Sequence, residues 1–172
     1  MLILMAGLPG TGKSTLASEL ARRTGGHVLD KDVVRQALFG PDRIEYSSAQ
    51  DDLVVGVMLE AAAYLLRVHP TLRVFLDGRL FSRTRQIDEV VAFAERIGTP
   101  WRILECVCSQ ETARRRLSSD LQAERHPAAN RSFDLYLEIK HRFELIAREK
   151  TLLDTGCALL ACVEAALAAL GD

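Results

Sequence analysis

Gly7-Leu8-Pro9-Gly10-Thr11-Gly12-Lys13-Ser14 is the stretch on which the fold turns. It satisfies G-x-x-x-x-G-K-[ST], a pattern whose residue types serve one task, the cradling of a chain of phosphates. The glycines let the backbone curl until successive N–H groups point inward at phosphate oxygens. The start of the following helix adds the positive end of its dipole. Lys13 would reach the β- and γ-phosphates, and the Ser14 hydroxyl would ligate Mg²⁺. The expected nucleotide-binding set is therefore Gly7, Leu8, Pro9, Gly10, Thr11, Gly12, Lys13, Ser14 and Thr15. An accidental glycine-rich turn would not come with the right flanks. Here an apolar run, Leu2 to Ala6, precedes it, and Leu16, Ala17, Leu20 and Ala21 follow at helical spacing.

Outward from this stretch the alternation continues. Strand-like runs are expected at 27–30, 73–76, 101–108 and 151–154. Helical periodicity is expected from Val33 to Leu38, over 51–68, from Ile87 to Ile97 and over 110–121. Leu135, Ile139, Phe143 and Ile146 mark another helix, and Leu160, Val163, Leu167 and Leu170 the last. Strands alternating with helices imply a parallel sheet covered on both faces. The expected fold is thus an α/β three-layer sandwich of the P-loop NTPase kind, with a five-stranded parallel sheet. No linker or repeat divides residues 1–172, so one domain is expected. The polar, charged segment 122–132, interrupted by Pro127, is the candidate for a small lid.

Composition narrows the class. The 172 residues are 48% hydrophobic and 26% charged, ordinary values for a globular domain with a real core. A net charge of -1 does not announce a nucleic-acid binder, although a local basic stripe can sit on a neutral protein. The apolar opening Met1-Leu2-Ile3-Leu4-Met5-Ala6 is too short for a signal-peptide core and lacks a basic lead-in. No stretch reaches the length of a membrane span. The four cysteines, Cys106, Cys108, Cys157 and Cys162, have neither zinc-site spacing nor disulfide-rich density. They read as buried free thiols, with Cys106 and Cys108 on one strand face, and the expected location is the cytoplasm.

Beyond the cradle, Asp30 and Asp32 follow the second strand. Ligands in this fold class sit beyond the carboxyl ends of the strands, so both carboxylates emerge on the cradle's edge. A carboxylate there could orient an acceptor hydroxyl and take its proton. Arg35, one helical turn after Asp32, could clamp an anionic substrate or the transferring phosphoryl group. The bland alternative makes Asp32 a helix N-cap and Arg35 its surface ion-pair partner. Asp77, ending the strand before Gly78, is either a water-mediated Mg²⁺ holder beside Ser14 or a simple turn residue. Arg79, Arg83 and Arg85 follow closely; one could line an acceptor pocket, while any single one reads as a surface residue.

On these residues the chain resembles the small P-loop kinases of the polynucleotide-kinase-like and predicted-kinase group, a branch of AAA-type ATP-binding domains. Asp32-Val33-Val34-Arg35 matches that group's D-x-x-R segment, and Val74-Phe75-Leu76-Asp77-Gly78-Arg79 matches its strand ending in Asp-Gly, with Arg85 following. The resemblance implies Asp32 as the base and Arg35 as a phosphate contact. It implies ATP and Mg²⁺ as cofactors, and a lid supplying arginines, here Arg116, Arg125 and Arg131. The group places an arginine four residues after the position of Arg116, where this chain has Asp120. It also implies that the adenine ring sits at Thr155 and Gly156, mainly through backbone contacts.

The leading expectation is an ATP-dependent phosphotransferase, moving the γ-phosphate to a hydroxyl with Lys13, Asp32, Arg35, Arg116, Arg125 and Arg131 as catalytic residues and Ser14 and Asp77 at the metal. The acceptor is a small molecule such as a sugar acid, nucleoside or antibiotic, or a polynucleotide 5′-hydroxyl. The charge balance favours the small molecule. A toxin-like kinase of the zeta type is a further option. From another class comes a nucleotide-dependent regulatory NTPase acting through a protein partner.

Overall fold

Residue alternation in the first strand shows how the molecule is layered. In the computed structural model, which describes residues 1–122 and 132–171, β1 spans Leu2–Ala6 and all five residues are buried. Leu2, Leu4 and Ala6 face one apolar cluster, while Ile3 and Met5 face another. A strand buried on both faces needs a layer of helices on each.

The remaining strands are β2 (His27–Asp30), β3 (Val74–Asp77), β4 (Trp101–Val107) and β5 (Thr151–Asp154). They form one five-stranded sheet in the order β2-β3-β1-β4-β5, with every pairing parallel. The helices are α1 (Lys13–Thr24), α2 (Lys31–Phe39), α3 (Ser48–Val68), α4 (Thr84–Arg96), α5 (Gln110–Gln122), α6 (Phe133–His141) and α7 (Leu159–Leu170). On one face, Leu16 and Leu20 of α1 join Val163 and Ala166 of α7 over Ile3, Met5 and Leu104. On the other, Val54 and Met58 of α3 join Val90 and Val91 of α4 over Leu2, Leu4 and Ile103. A third, smaller cluster packs Ala113 and Leu117 of α5 against Tyr136 of α6, with Leu8 of the cradle beneath it. The expected three-layer α/β sandwich is therefore the observed fold.

Three details depart from the sequence pattern. Helix α3 begins at Ser48, where the Ser47 hydroxyl accepts from the Gln50 amide, three residues before its apolar periodicity starts. Helix α6 stops at His141, and Phe143 and Ile146 lie beyond it, packed in the cluster of α3 and α4. Their helical spacing from Ile139 is thus coincidental. Cys106 and Cys162 are buried, but Cys108 is half-buried past the end of β4 and Cys157 is exposed. The lid segment 122–132 falls almost entirely outside the described residues. Among those described, no helix is long and apolar enough to cross a membrane.

Candidate active site

The cradle is built by tight backbone approach. Gly7 has φ 133°, and a Cβ there would stand 2.3 Å from the Cys106 carbonyl oxygen of β4. No side chain fits between those strands. Gly12 (φ 78°) precedes α1, whose first turn has neither a side-chain cap nor an acidic residue. Its amides are left to serve a bound anion. Lys13 is buried, and its Nζ donates to the carbonyls of Gly7 (2.9 Å) and Leu8 (2.8 Å). The ammonium is thus held against the loop that it would share with phosphates. The Thr11 hydroxyl closes the turn on the Leu8 carbonyl at 2.7 Å.

On one flank of the cradle opens a pocket of about 470 Å³. Lys13, Ser14 and Thr15 form one wall, Arg116 and Asp120 of α5 another, and Thr155 and Cys157 after β5 the third. Arg116 ties two walls together. Its Nη1 donates to the Gly10 carbonyl (3.3 Å) and the Thr155 hydroxyl (3.1 Å), and its Nη2 to the Thr155 carbonyl (2.6 Å). The Thr155 hydroxyl in turn donates to the Thr11 carbonyl at 2.7 Å. Thr155 thus engages the cradle and Arg116 through its side chain, a contact without a signature in the sequence. Asp120 lines the pocket with a carboxylate where the resembling group carries a cation.

The opposite flank is reached through the first cradle glycine. The Gly7 amide donates to the Leu80 carbonyl at 3.2 Å, and Leu80 lines a second pocket of about 330 Å³. Here α2, α3 and the β3–α4 loop meet. Asp30, not Asp32, caps α2, accepting from the amides of Asp32 (2.7 Å) and Val33 (3.1 Å). That frees Asp32 to turn inward. It is buried and accepts from Arg35 Nη1 at 2.7 Å, so the pair is not the surface ion pair of the bland alternative. Arg35 is 1% exposed, pairs also with Asp51 of α3, and stacks over the Tyr46 ring at 5.2 Å. Lys31 Nζ reaches the same Asp51 at 2.9 Å. Burial pushes the Lys31 ammonium down to about 8, with Arg35 and Arg79 adding repulsion and Asp32 and Asp30 opposing it. Arg79 is buried and donates to Asp52 at 2.6 Å.

Asp77 ends β3 level with Asp30 of β2, on the cradle's edge of the sheet. It is 1% exposed and, among the described residues, neither of its carboxylate oxygens has a hydrogen-bond partner. A bare buried carboxylate is costly, and a divalent cation or its water shell would satisfy it. Gly78 (φ 82°) brings this strand end against α2, with an added Cβ only 2.8 Å from the Lys31 nitrogen. Among the described residues no three His, Cys, Asp or Glu side chains gather into a metal cage. The donors present fit Mg²⁺, which is usually held by one or two protein oxygens, with phosphates and water supplying the rest.

The structure therefore brings Lys13, Ser14 and Arg116 to one side of the cradle, and Asp32 and Arg35 to the other with Lys31, Asp51, Asp52 and Arg79. Lys31, Asp51 and Asp52 were not singled out from sequence. Their only signal was position, beside Asp30 and at the head of a helix. Arg79, Arg83 and Arg85, each read singly as surface, all line the second pocket. Arg125 and Arg131 lie outside the described residues, as does His126. Arg114 and Arg115 are exposed, with the Arg114 guanidinium over the Phe133 ring at 5.6 Å.

No curated protein matches the chain in sequence. Solved structures do share its fold. Mycobacterium tuberculosis APS kinase CysC, in complex with AMPPNP and APS, is 15% identical with a TM-score of 0.73, over 99% of this chain and 97% of that one. A gluconokinase from Sinorhizobium meliloti 1021 is 16% identical with a TM-score of 0.70, over 98% and 90%. Chaetomium thermophilum Kti12, in complex with ADP-AlF3, is 16% identical with a TM-score of 0.67, over the whole of both chains. The family model described as "AAA domain" matches residues 2–143, so the chain belongs to that AAA domain family and carries the fold of the small P-loop kinases.

Proposed function

We propose that the chain is an ATP-dependent phosphotransferase that moves the γ-phosphate to a hydroxyl of a small molecule. One observation carries this reading: the cradle lines one pocket with Thr155 and Arg116, and a separate pocket, joined to the cradle through the Gly7–Leu80 hydrogen bond, is bounded by the elements that hold Asp32. A protein that only hydrolysed nucleotide would need no second pocket. The first takes the nucleoside, and the cradle amides with Lys13 take the phosphates. Arg116, pinned to Gly10 and Thr155, is placed to add positive charge to that side. Bound Mg²⁺, held by Ser14 and by Asp77 through water, would neutralise charge on the phosphates. Asp32 accepts the acceptor's proton once Arg35 shifts toward the transferring group, and Arg35 then stabilises the charge it carries. The proposal extends to Arg125 and Arg131, which lie outside the described residues.

The shared fold of an APS kinase and a gluconokinase is consistent with this reading, and no membrane-spanning helix stands against it among the described residues. A second reading, a nucleotide-dependent regulatory protein acting through a partner, draws on the engagement of Asp32 by Arg35, which occupies the proposed base. The test is transfer from γ-labelled ATP with Mg²⁺ to a panel of sugar acids, nucleosides, hydroxylated antibiotics and 5′-hydroxyl oligonucleotides. Label on an acceptor, lost in Asp32→Asn, is expected. Hydrolysis with no labelled acceptor in the panel favours the regulatory reading.

A further inference from the structure

The second pocket differs in character from the nucleotide pocket. Among the described residues its cations are Lys31, Arg79, Arg83, Arg85 and Arg142, while only two carboxylates, Asp51 and Asp52, line it. Some of this charge is matched behind the wall: Arg83 pairs with Glu144 at 3.2 Å, and Arg142 with Glu138 at 3.2 Å. Those pairs are exposed, where an ion pair holds its partners weakly and can be exchanged for a ligand. The buried cations are different. Arg79 has a side chain only 7% exposed and uses one fork nitrogen on Asp52, while its Nε is buried with no partner among the described residues. The Gln86 amide oxygen on the same wall is likewise buried and unpartnered. Helices α2, α3 and α4 all start at this rim, adding the positive ends of three dipoles. Tyr46, on the wall, and Phe81, between wall residues Leu80 and Ser82, both carry left-handed backbone at φ 51°. Such strain in non-glycine residues collects at ligand sites.

Crowded cations, an unused guanidinium N–H and an unused acceptor oxygen call for a ligand with both an anionic group and hydroxyls. The space of about 330 Å³ is at the low end for a ligand pocket and suits a compact metabolite. Resting on the phosphotransfer reading, we propose that this pocket selects a small hydroxylated acceptor carrying one carboxylate or phosphate, which Arg79 and Arg83 hold while Gln86 accepts from a hydroxyl. A polynucleotide would need an extended channel of phosphate contacts rather than a closed group of cations.

Binding can be measured apart from catalysis. The chain is saturated with a non-hydrolysable ATP analogue and Mg²⁺, so that the cradle is filled. Backbone amide shifts at Ser48, Ser82 and Gln86 are then followed while gluconate, inorganic sulfate or uncharged sorbitol is titrated. Saturable shifts are expected with gluconate and sulfate, and none with sorbitol. Arg83→Gln, at an exposed position, should weaken gluconate binding at least tenfold, and Arg79→Gln should do so by more if it folds. Shifts of equal size with sorbitol, or no saturable shift with either anion, would overturn the anion assignment. Gluconate binding without phosphate transfer to any acceptor would sustain the pocket assignment and count against the kinase reading alone.

Discussion

The two flanks of the cradle are built in opposite ways. The nucleotide side is made mainly of backbone: glycines at positive φ, uncapped amides of α1, and carbonyls of Gly7, Leu8 and Gly10 that engage Lys13 and Arg116. The proposed acceptor side is made of side chains from α2, α3 and the β3–α4 loop, joined by ion pairs through Asp51 and Asp52. Backbone recognition suits a ligand common to many proteins, the triphosphate. Side-chain recognition can be rewritten one residue at a time, and so suits the acceptor, whose identity differs between proteins of one fold.

If this division is right, changes on the two sides should separate in kinetics. The largest effect is expected from Asp32→Asn, which should cut transfer by about 10² to 10⁴-fold, the usual worth of a positioned base, with ATP affinity unchanged. An unaltered transfer rate would remove Asp32 from the mechanism. Lys13→Ala should act on the other side, weakening ATP binding by about 10- to 100-fold, as charge-assisted bonds of about 1.5–3 kcal/mol imply. Calorimetric titration with the ATP analogue measures it, and an unchanged affinity would break the cradle assignment.

Smaller effects sharpen the comparison. Gly7→Ala forces a Cβ onto the Cys106 carbonyl and a disfavoured φ, so a loss of about 1–3 kcal/mol in stability is expected from urea unfolding. A wild-type midpoint would show that the strands can part there. Lys31 offers a pH test. Its folded value of about 8 lies below the ordinary lysine value of 10.5. Between those values the unfolded chain holds a proton that the folded chain has released, so stability should rise with pH across that window. The rise should be reduced in Lys31→Met; an identical slope in the two proteins would mean that Lys31 is not held as described. Thr155→Val, which removes the hydroxyl linking Thr11 and Arg116, should cost about 1 kcal/mol and raise the KM for ATP a few-fold.

The same contrast explains what was legible in the sequence. The cradle was legible because its function resides in local backbone geometry, and local geometry is written in consecutive residues such as Gly10-Thr11-Gly12-Lys13. The sheet was legible because burial on both faces leaves apolar runs like Leu2–Ala6 between helical periods. The Asp32–Arg35 pair was legible as a spacing, though its burial was not: that depends on Asp30 taking the capping role and on Asp51 arriving from another helix. Thr155, more than a hundred residues from Thr11, meets it only because β5 lies beside β4 at the sheet's edge. The phase of α6 misled for a related reason. Phe143 and Ile146 keep helical spacing but pack in the α3–α4 cluster after the helix has ended at His141.

In the proposed reaction one cradle serves two pockets, so that phosphate passes between bound molecules rather than to water. The most direct measurement is the partition of label from γ-labelled ATP between an anionic hydroxylated acceptor and inorganic phosphate. Saturating acceptor is expected to capture most of the label in wild type, and Arg79→Gln to shift the balance toward inorganic phosphate. Release as inorganic phosphate at the same rate with and without every acceptor offered, carboxylate- and phosphate-bearing alike, would contradict it.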